Sequence, residues 1–178
     1  MTRGLKRLHE SGQSHFVTFS CDRRQQKLVD PALCSLFVER LESMRVHFSL
    51  RVYGYVVMPE HVHLLLSEPN PATLADAIRF LKLSFTKQVR PIRRESDCES
   101  AFWQKRYYDR NIRDFEEFTA KLRYIHRNPV KRGLCGRPED WQWSSFRHYV
   151  LGERSEVEIE STWTAKARER SRSITAPG

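Results

Sequence analysis

The spacing of apolar residues changes several times along the chain, and each change marks an element. His15-Phe16-Val17-Thr18-Phe19-Ser20-Cys21 is rich in aromatic and β-branched residues and predicts a strand. Asp30-Pro31 reads as an N-cap followed by proline in the first helical turn. Leu33, Leu36, Phe37, Leu41 and Met44 follow at helical spacing, giving an amphipathic helix to about His47. Leu50 to Met58 and His61 to Ser67 predict two strands joined tightly at Pro59-Glu60, and Pro69-Asn70-Pro71 ends the pair. Leu74, Ala77, Ile78, Leu81 and Phe85 mark a second amphipathic helix to about Val89. Pro91 to Ser100 is a polar, basic loop. Ala101-Phe102-Trp103-Gln104-Lys105-Arg106-Tyr107-Tyr108 then resumes an extended pattern, expected as a fourth strand or an ordered loop. The order β-α-β-β-α-β predicts an α+β fold of ferredoxin-like type, an antiparallel sheet with both helices on one face. The other face is left for a site.

A further helix follows. Asp114 with Glu117 three residues on makes a capping-box-like start, and Glu116 adds negative charge to the first turn. Phe115, Phe118, Leu122 and Ile125 form the expected buried stripe. At roughly 100° per residue, Tyr124 and Asn128 are i, i+4 neighbours on a different face. Pro129 disfavours further helix, which puts the pair at the C-terminal end. Trp141, Trp143 and Phe146 are expected to cover an end of the core. Residues 1–150 read as one domain, and residues 151–178 as a charged, flexible tail.

His61 and His63 stand two apart on a strand, so both imidazoles point to one face while Val62, Leu64 and Leu66 point to the other. Such a pair suits a divalent metal if a third ligand comes from elsewhere; two surface histidines are the plainer alternative. An Asn128 carbonyl would supply a hard oxygen, which favours Mg²⁺ or Mn²⁺. Tyr124 could be a packed interfacial residue. Paired with a metal strand, its phenol could instead attack phosphorus, a reaction that needs a cation and basic side chains around the phosphate.

Charge supports a phosphate-bearing partner. The 178 residues carry a formal net charge of +9, with 39% hydrophobic and 30% charged residues. Five basic and five acidic side chains balance beyond Leu151, so the excess lies in residues 1–150. Arg79, Lys82, Lys87, Arg90, Arg93 and Arg94 form one acid-free run. Lys121, Arg123, Arg127, Lys131, Arg132 and Arg137 form another. Trp103, Tyr107 and Tyr108 interleave with Lys105, Arg106 and Arg110, a mixture that stacks unpaired bases and holds backbone phosphates. At least one of these aromatics is expected to pack on the sheet. Tyr108, then Tyr107, are the rival nucleophiles. Cys21, Cys34, Cys98 and Cys135 are too scattered for a zinc knuckle or a disulfide framework. No apolar run reaches the roughly 18 residues of a membrane span and no signal peptide is evident, so a cytoplasmic protein with no membrane partner is expected.

Three stretches in order resemble the REP-associated tyrosine transposases, single-tyrosine members of the HUH superfamily. They are Met58-Pro59-Glu60-His61-Val62-His63, the run from Tyr124 to Gly133, and Trp141-Gln142-Trp143-Ser144-Ser145-Phe146 with Tyr149. The resemblance spans about residues 10–150. It implies a metal-dependent endonuclease and strand transferase acting on single-stranded DNA. His61, His63 and Asn128 would bind Mg²⁺ or Mn²⁺, and Tyr124 would form a 5′-phosphotyrosine link and free a 3′-OH. The implied partner is a palindromic repeat folded into a hairpin, bound by a monomer or homodimer. Related insertion-sequence transposases usually carry glutamine four residues after the tyrosine, where this chain has Asn128, one methylene shorter. The chief rival is a catalytically idle hairpin-binding domain. A histidine-triad hydrolase would need a third histidine where Leu65 stands. The strands lack the aromatic signature of an RNA-recognition fold, and the helicase or paired-tyrosine features of replication initiators are absent.

Overall fold

A computed structural model describes residues 14–91 and 100–175. Cys98, Arg93 and Arg94 lie outside the described residues, as does most of the loop expected from Pro91 to Ser100. The elements are β1 (Ser14–Ser20), α1 (Pro31–His47), β2 (Val52–Val57), β3 (His61–Ser67), α2 (Leu74–Val89), β4 (Tyr108–Asn111), α3 (Phe115–Lys131), α4 (Phe146–Leu151) and α5 (Thr162–Thr175). The strands form one antiparallel sheet in the order β2-β3-β1-β4. That is the ferredoxin-like arrangement the sequence predicts.

Alternation sorts each strand's side chains between two cores. Val17, Phe19, Val62, Leu64 and Leu66 face the larger one, where Phe37 and Leu41 of α1 and Leu81 and Phe85 of α2 pack. Asp30 caps α1, its side chain accepting from the Ala32 N–H, and Thr73 with Asp76 makes a reciprocal capping box on α2. Phe16, Val56 and Leu65 face the opposite way, toward Ile125 of α3. The face left for a site is therefore roofed by α3.

Several expectations change in the packed molecule. The fourth strand is short, pairing Tyr108–Asn111 with His15–Thr18. Upstream, Trp103 makes only an isolated bridge to Cys21. Its indole is 6% exposed among Phe19, Phe37, Phe85 and Phe102, so it is core and offers no face to a base. Phe115, assigned to the buried stripe, is 81% exposed. It stands at the first position of α3, its ring stacked on Phe118 and otherwise open to solvent. Nor does Pro129 end α3, which runs on to Lys131. Proline removes one intrahelical hydrogen bond, and the burial of Ile125 and Pro129 offsets that loss.

The segment after α3 closes the free edge of β2. Val57 N–H donates to Trp143 O at 2.9 Å, and Trp141 Nε1 donates to Val57 O at 2.9 Å. Ser145 N–H donates to Tyr55 O at 3.0 Å, Ser145 Oγ accepts from Tyr55 N–H at 3.0 Å, and Tyr149 Oη donates to Tyr53 O at 2.6 Å. Trp141 and Trp143 thus seal a strand edge, which is more specific than covering a core end. Farther on, Ile159 bridges to Val52, and both Val157 and Ile159 are buried in the larger core, so the expected tail is packed at its start. Among the described residues, no helix is long and apolar enough to cross a membrane. Cys21 and Cys34 are buried free thiols, each pushed up to about 12 chiefly by desolvation.

Candidate active site

The site begins with the strand alternation that turns His61 and His63 away from the larger core. Across the β1–β3 register Thr18 pairs with His63 and Ser20 with His61, so these four share one face. Thr18 Oγ1 lies 2.7 Å from His63 Nδ1. Glu60 Oε1 lies 3.0 Å from His61 Nδ1. Each ring thus has its Nδ1 beside an oxygen and its Nε2 turned to the other ring, the two Nε2 atoms 3.0 Å apart.

Asn128 completes the cluster from α3. Its Nδ2 lies 3.0 Å from His63 Nε2, while its Oδ1 is buried without a hydrogen-bond partner among the described residues. Donation from that amide to Nε2 leaves the proton of His63 on Nδ1, where Thr18 accepts it. Turning the amide about its terminal bond exchanges Nδ2 for Oδ1 at the cluster. Adjacent ligands about 2.1 Å from an octahedral cation stand about 3 Å apart, so the spacing of both contacts fits a small divalent ion. Among the described residues, no group of three or more His, Cys, Asp or Glu side chains could hold a metal.

Electrostatics keep the imidazoles neutral. Burial lowers His63 to about 3, helped by His61 and the cations Arg132, Lys121 and Arg24. Burial also lowers His61, opposed by the Glu60 carboxylate. Both rings therefore present lone pairs at neutral pH.

Tyr124 stands next to this cluster, 40% exposed, on the turn of α3 that precedes Asn128. Its ring centroid is 5.2 Å from that of His63 and 5.9 Å from that of Phe16, both edge-on. Lys121 Nζ lies 4.7 Å from the Phe16 centroid and 6.0 Å from that of Tyr124, and Lys131 Nζ lies 5.7 Å from the Tyr124 centroid. Two histidines, an amide, a solvent-facing phenol and two ammonium groups thus meet at one corner of the sheet.

Residues 9–128 match the family described as IS200-like transposases. The chain belongs to that family. Relatives of this IS200-like chain include a Haemophilus influenzae protein named for the REP-associated tyrosine transposases, 35% identical over 114 residues. The match covers 60% of this chain and 65% of that protein, slightly less than two thirds of its length. An Escherichia coli REP-associated tyrosine transposase is 24% identical over 147 residues, covering 82% of this chain and 83% of the relative. Among solved structures, a REP-associated tyrosine transposase bound to a REP hairpin superposes with a TM-score of 0.68. It is 23% identical and covers 90% of this chain and 93% of its own, a likeness of fold.

The other predicted DNA contacts scatter over this IS200-like fold. Arg127, Lys131 and Arg132 occupy exposed positions of α3 and its cap, and of these Lys131 and Arg132 reach the cluster. Arg132 also reaches Glu60, its NH2 3.3 Å from Oε1. Tyr108 is exposed, edge-on to Phe16 and on the same sheet face. Arg110 shares that face and pairs with Glu117. Tyr107 is partly buried against the larger core, and Lys105 and Arg106 are exposed. Arg79, Lys82 and Lys87 ride on α2, with the sheet between them and the histidines. Lys82 is tied to Gln104 O at 2.5 Å, and burial lowers its pKa. Sequence reasoning left Thr18, Glu60 and Lys121 out of the site and assigned Arg132 to DNA alone, without its contact to Glu60. Thr18 is found only through the β1–β3 register; Lys121 was visible, three residues before Tyr124 on the same helix.

Proposed function

We propose that this chain is a metal-dependent single-stranded DNA endonuclease and strand transferase, acting on hairpin-forming palindromic repeats through a 5′-phosphotyrosine intermediate. The observation that carries this reading is the 5.2 Å approach of the Tyr124 ring to His63, within the cluster that also holds His61 and Asn128. His61 Nε2, His63 Nε2 and Asn128 Oδ1 would hold Mg²⁺ or Mn²⁺. When bound, the cation supplies Lewis-acid polarisation of the scissile phosphate. The Tyr124 hydroxyl gives its proton to solvent on its exposed side, and its oxygen bonds to phosphorus as the P–O3′ bond breaks. The departing 3′ oxygen takes up a proton and leaves as a free 3′-OH. Attack by a 3′-OH on the phosphotyrosine reverses these steps and joins strands without ATP. Lys121 and Lys131 flank the phenol, where they counter charge that builds up on the phosphate and phenolate. The hairpin-bound structural neighbour and the named relatives support the choice of substrate.

The test is incubation with single-stranded hairpin repeats from the source genome, with Mg²⁺ or Mn²⁺, scored for a covalent protein–DNA adduct. Loss of the adduct in both Tyr124→Phe and His61→Ala is expected. An adduct that persists in Tyr124→Phe moves the nucleophile to Tyr108, the other exposed tyrosine on this face. Hairpin binding without an adduct under either metal establishes the idle DNA-binding module instead.

A further inference from the structure

Glu60 sits in the turn between β2 and β3, and the backbone around it is pinned. Met58 N–H donates to His61 O at 2.8 Å, Pro59 O accepts from Leu28 N–H at 2.9 Å, and Glu60 O accepts from Cys21 N–H at 2.9 Å. With the main chain fixed, one carboxylate oxygen makes two contacts of different kinds. Oε1 stands 3.0 Å from His61 Nδ1, off the line of a hydrogen bond, and 3.3 Å from Arg132 NH2. The carboxylate is only 16% exposed, so water screens it weakly.

Arg132 is the C-cap of α3, and its backbone N–H donates to Asn128 O at 3.0 Å. The residue that caps the tyrosine helix is therefore joined by its main chain to Asn128 and by its side chain to the neighbour of His61. This closes a loop of contacts: His61, Glu60, Arg132, Asn128, His63 and back to His61. A carboxylate beside a ligating imidazole holds the proton on the near nitrogen and aims the far one.

We propose that Glu60 and Arg132 are positioning residues: the carboxylate fixes the His61 ring with Nε2 toward the cluster, and the guanidinium holds the end of α3, and so Asn128, in register with it. This assignment rests on the metal reading of the cluster. It gives Arg132 a structural partner inside the protein, where the charge pattern alone assigns it to DNA.

The experiment is a titration of the full chain with Mn²⁺ in the absence of DNA, read by calorimetry or by loss of the free-ion electron paramagnetic resonance signal. Glu60→Gln, Arg132→Met, Arg132→Lys and the Glu60→Gln/Arg132→Met pair are compared with the unaltered protein. Glu60→Gln is expected to weaken Mn²⁺ about 10- to 100-fold. Arg132→Met weakens it less, Arg132→Lys recovers most of the affinity, and the double variant binds as Glu60→Gln does because Arg132 acts through Glu60. Unaltered affinity in Glu60→Gln overturns the inference alone, as does an Arg132→Met effect that persists in full in the Glu60→Gln background. Absence of Mn²⁺ binding by the unaltered chain overturns the metal reading together with it. Nitrogen chemical shifts of the histidine rings in the unaltered protein give an answer independent of any variant's folding. A proton on His61 Nδ1 supports the proposal, and a proton on Nε2 overturns it.

Discussion

His126 Nε2 lies 2.9 Å from Ser145 Oγ in the buried seam between α3 and β2. The same hydroxyl accepts from Tyr55 N–H and donates to Tyr55 O at 3.3 Å, so the imidazole donates its Nε2 proton. One serine thereby fastens this helix to the edge of the sheet, at a position midway along the chain between Tyr124 and Asn128.

Burial pushes His126 down to about 4. The unfolded chain takes up this proton as pH falls below about 6.5, whereas the folded protein resists until about 4. Stability from this group is complete above 6.5 and declines steadily between 6.5 and 4. Urea midpoints across that window are expected to fall with pH, and His126→Gln to lessen the slope by about one proton. An identical slope in the variant would show that this ring titrates alike in both states.

Gly54 lies on β2 beneath Leu122 and Ile125 of α3. A Cβ there would stand 2.5 Å from Leu122 Cδ1, far inside contact distance. Gly54→Ala is expected to destabilise the fold by about 1 kcal/mol or less, because the half-buried Leu122 side chain can swing aside. The clashing atom ends a side chain, so Leu122→Ala in the same chain should recover part of the loss. Denaturant titration of the two single variants and the pair measures the coupling; strict additivity would sink the argument.

Thr18 is the oxygen beside His63 Nδ1. Thr18→Val keeps the shape and removes the acceptor. It is expected to weaken Mn²⁺ binding about tenfold, with the melting temperature within a few degrees of the parent, and Thr18→Ser should retain most of the affinity. Equal Mn²⁺ affinity in Thr18→Val would mean that the His63 tautomer is set by Asn128 alone.

Trp103 anchors an aromatic cluster in the larger core. Trp103→Ala should cost about 3–5 kcal/mol of stability while leaving hairpin affinity of the folded fraction unchanged. Tyr108→Ala should do the reverse, since its ring is exposed on the site face. A Trp103 variant that melts normally and loses DNA would restore the stacking role to the indole.

What the sequence disclosed follows from local geometry. A two-residue step puts His61 and His63 on one face of any strand, and a four-residue step puts Tyr124 beside Asn128 on any helix. What it concealed depends on packing between distant segments. Trp103, Tyr107 and Tyr108 have the same local setting, and only the path of the chain past Cys21 buries the first and leaves the last exposed. Phe115 fits a helical stripe but stands at the first residue of α3, where it is left exposed. Lys82 and Lys121 look alike in a count of charge. The sheet puts one against backbone carbonyls on the far side and the other beside Tyr124. Thr18 carries no local signal, because its role exists only when β1 and β3 pair.

The sealed flank of β2 bears on how copies of this protein can meet. Sheets commonly recruit another chain by lending it an unpaired strand. Here the outward carbonyls of Tyr53, Tyr55 and Val57 and the amides of Tyr55 and Val57 are already taken by Tyr149, Ser145, Trp143 and Trp141. A second molecule finds no template along that flank. The segment holding the tryptophans acts as an insulating strip, and a continuous sheet between two copies cannot be built through β2 while that strip stays in place.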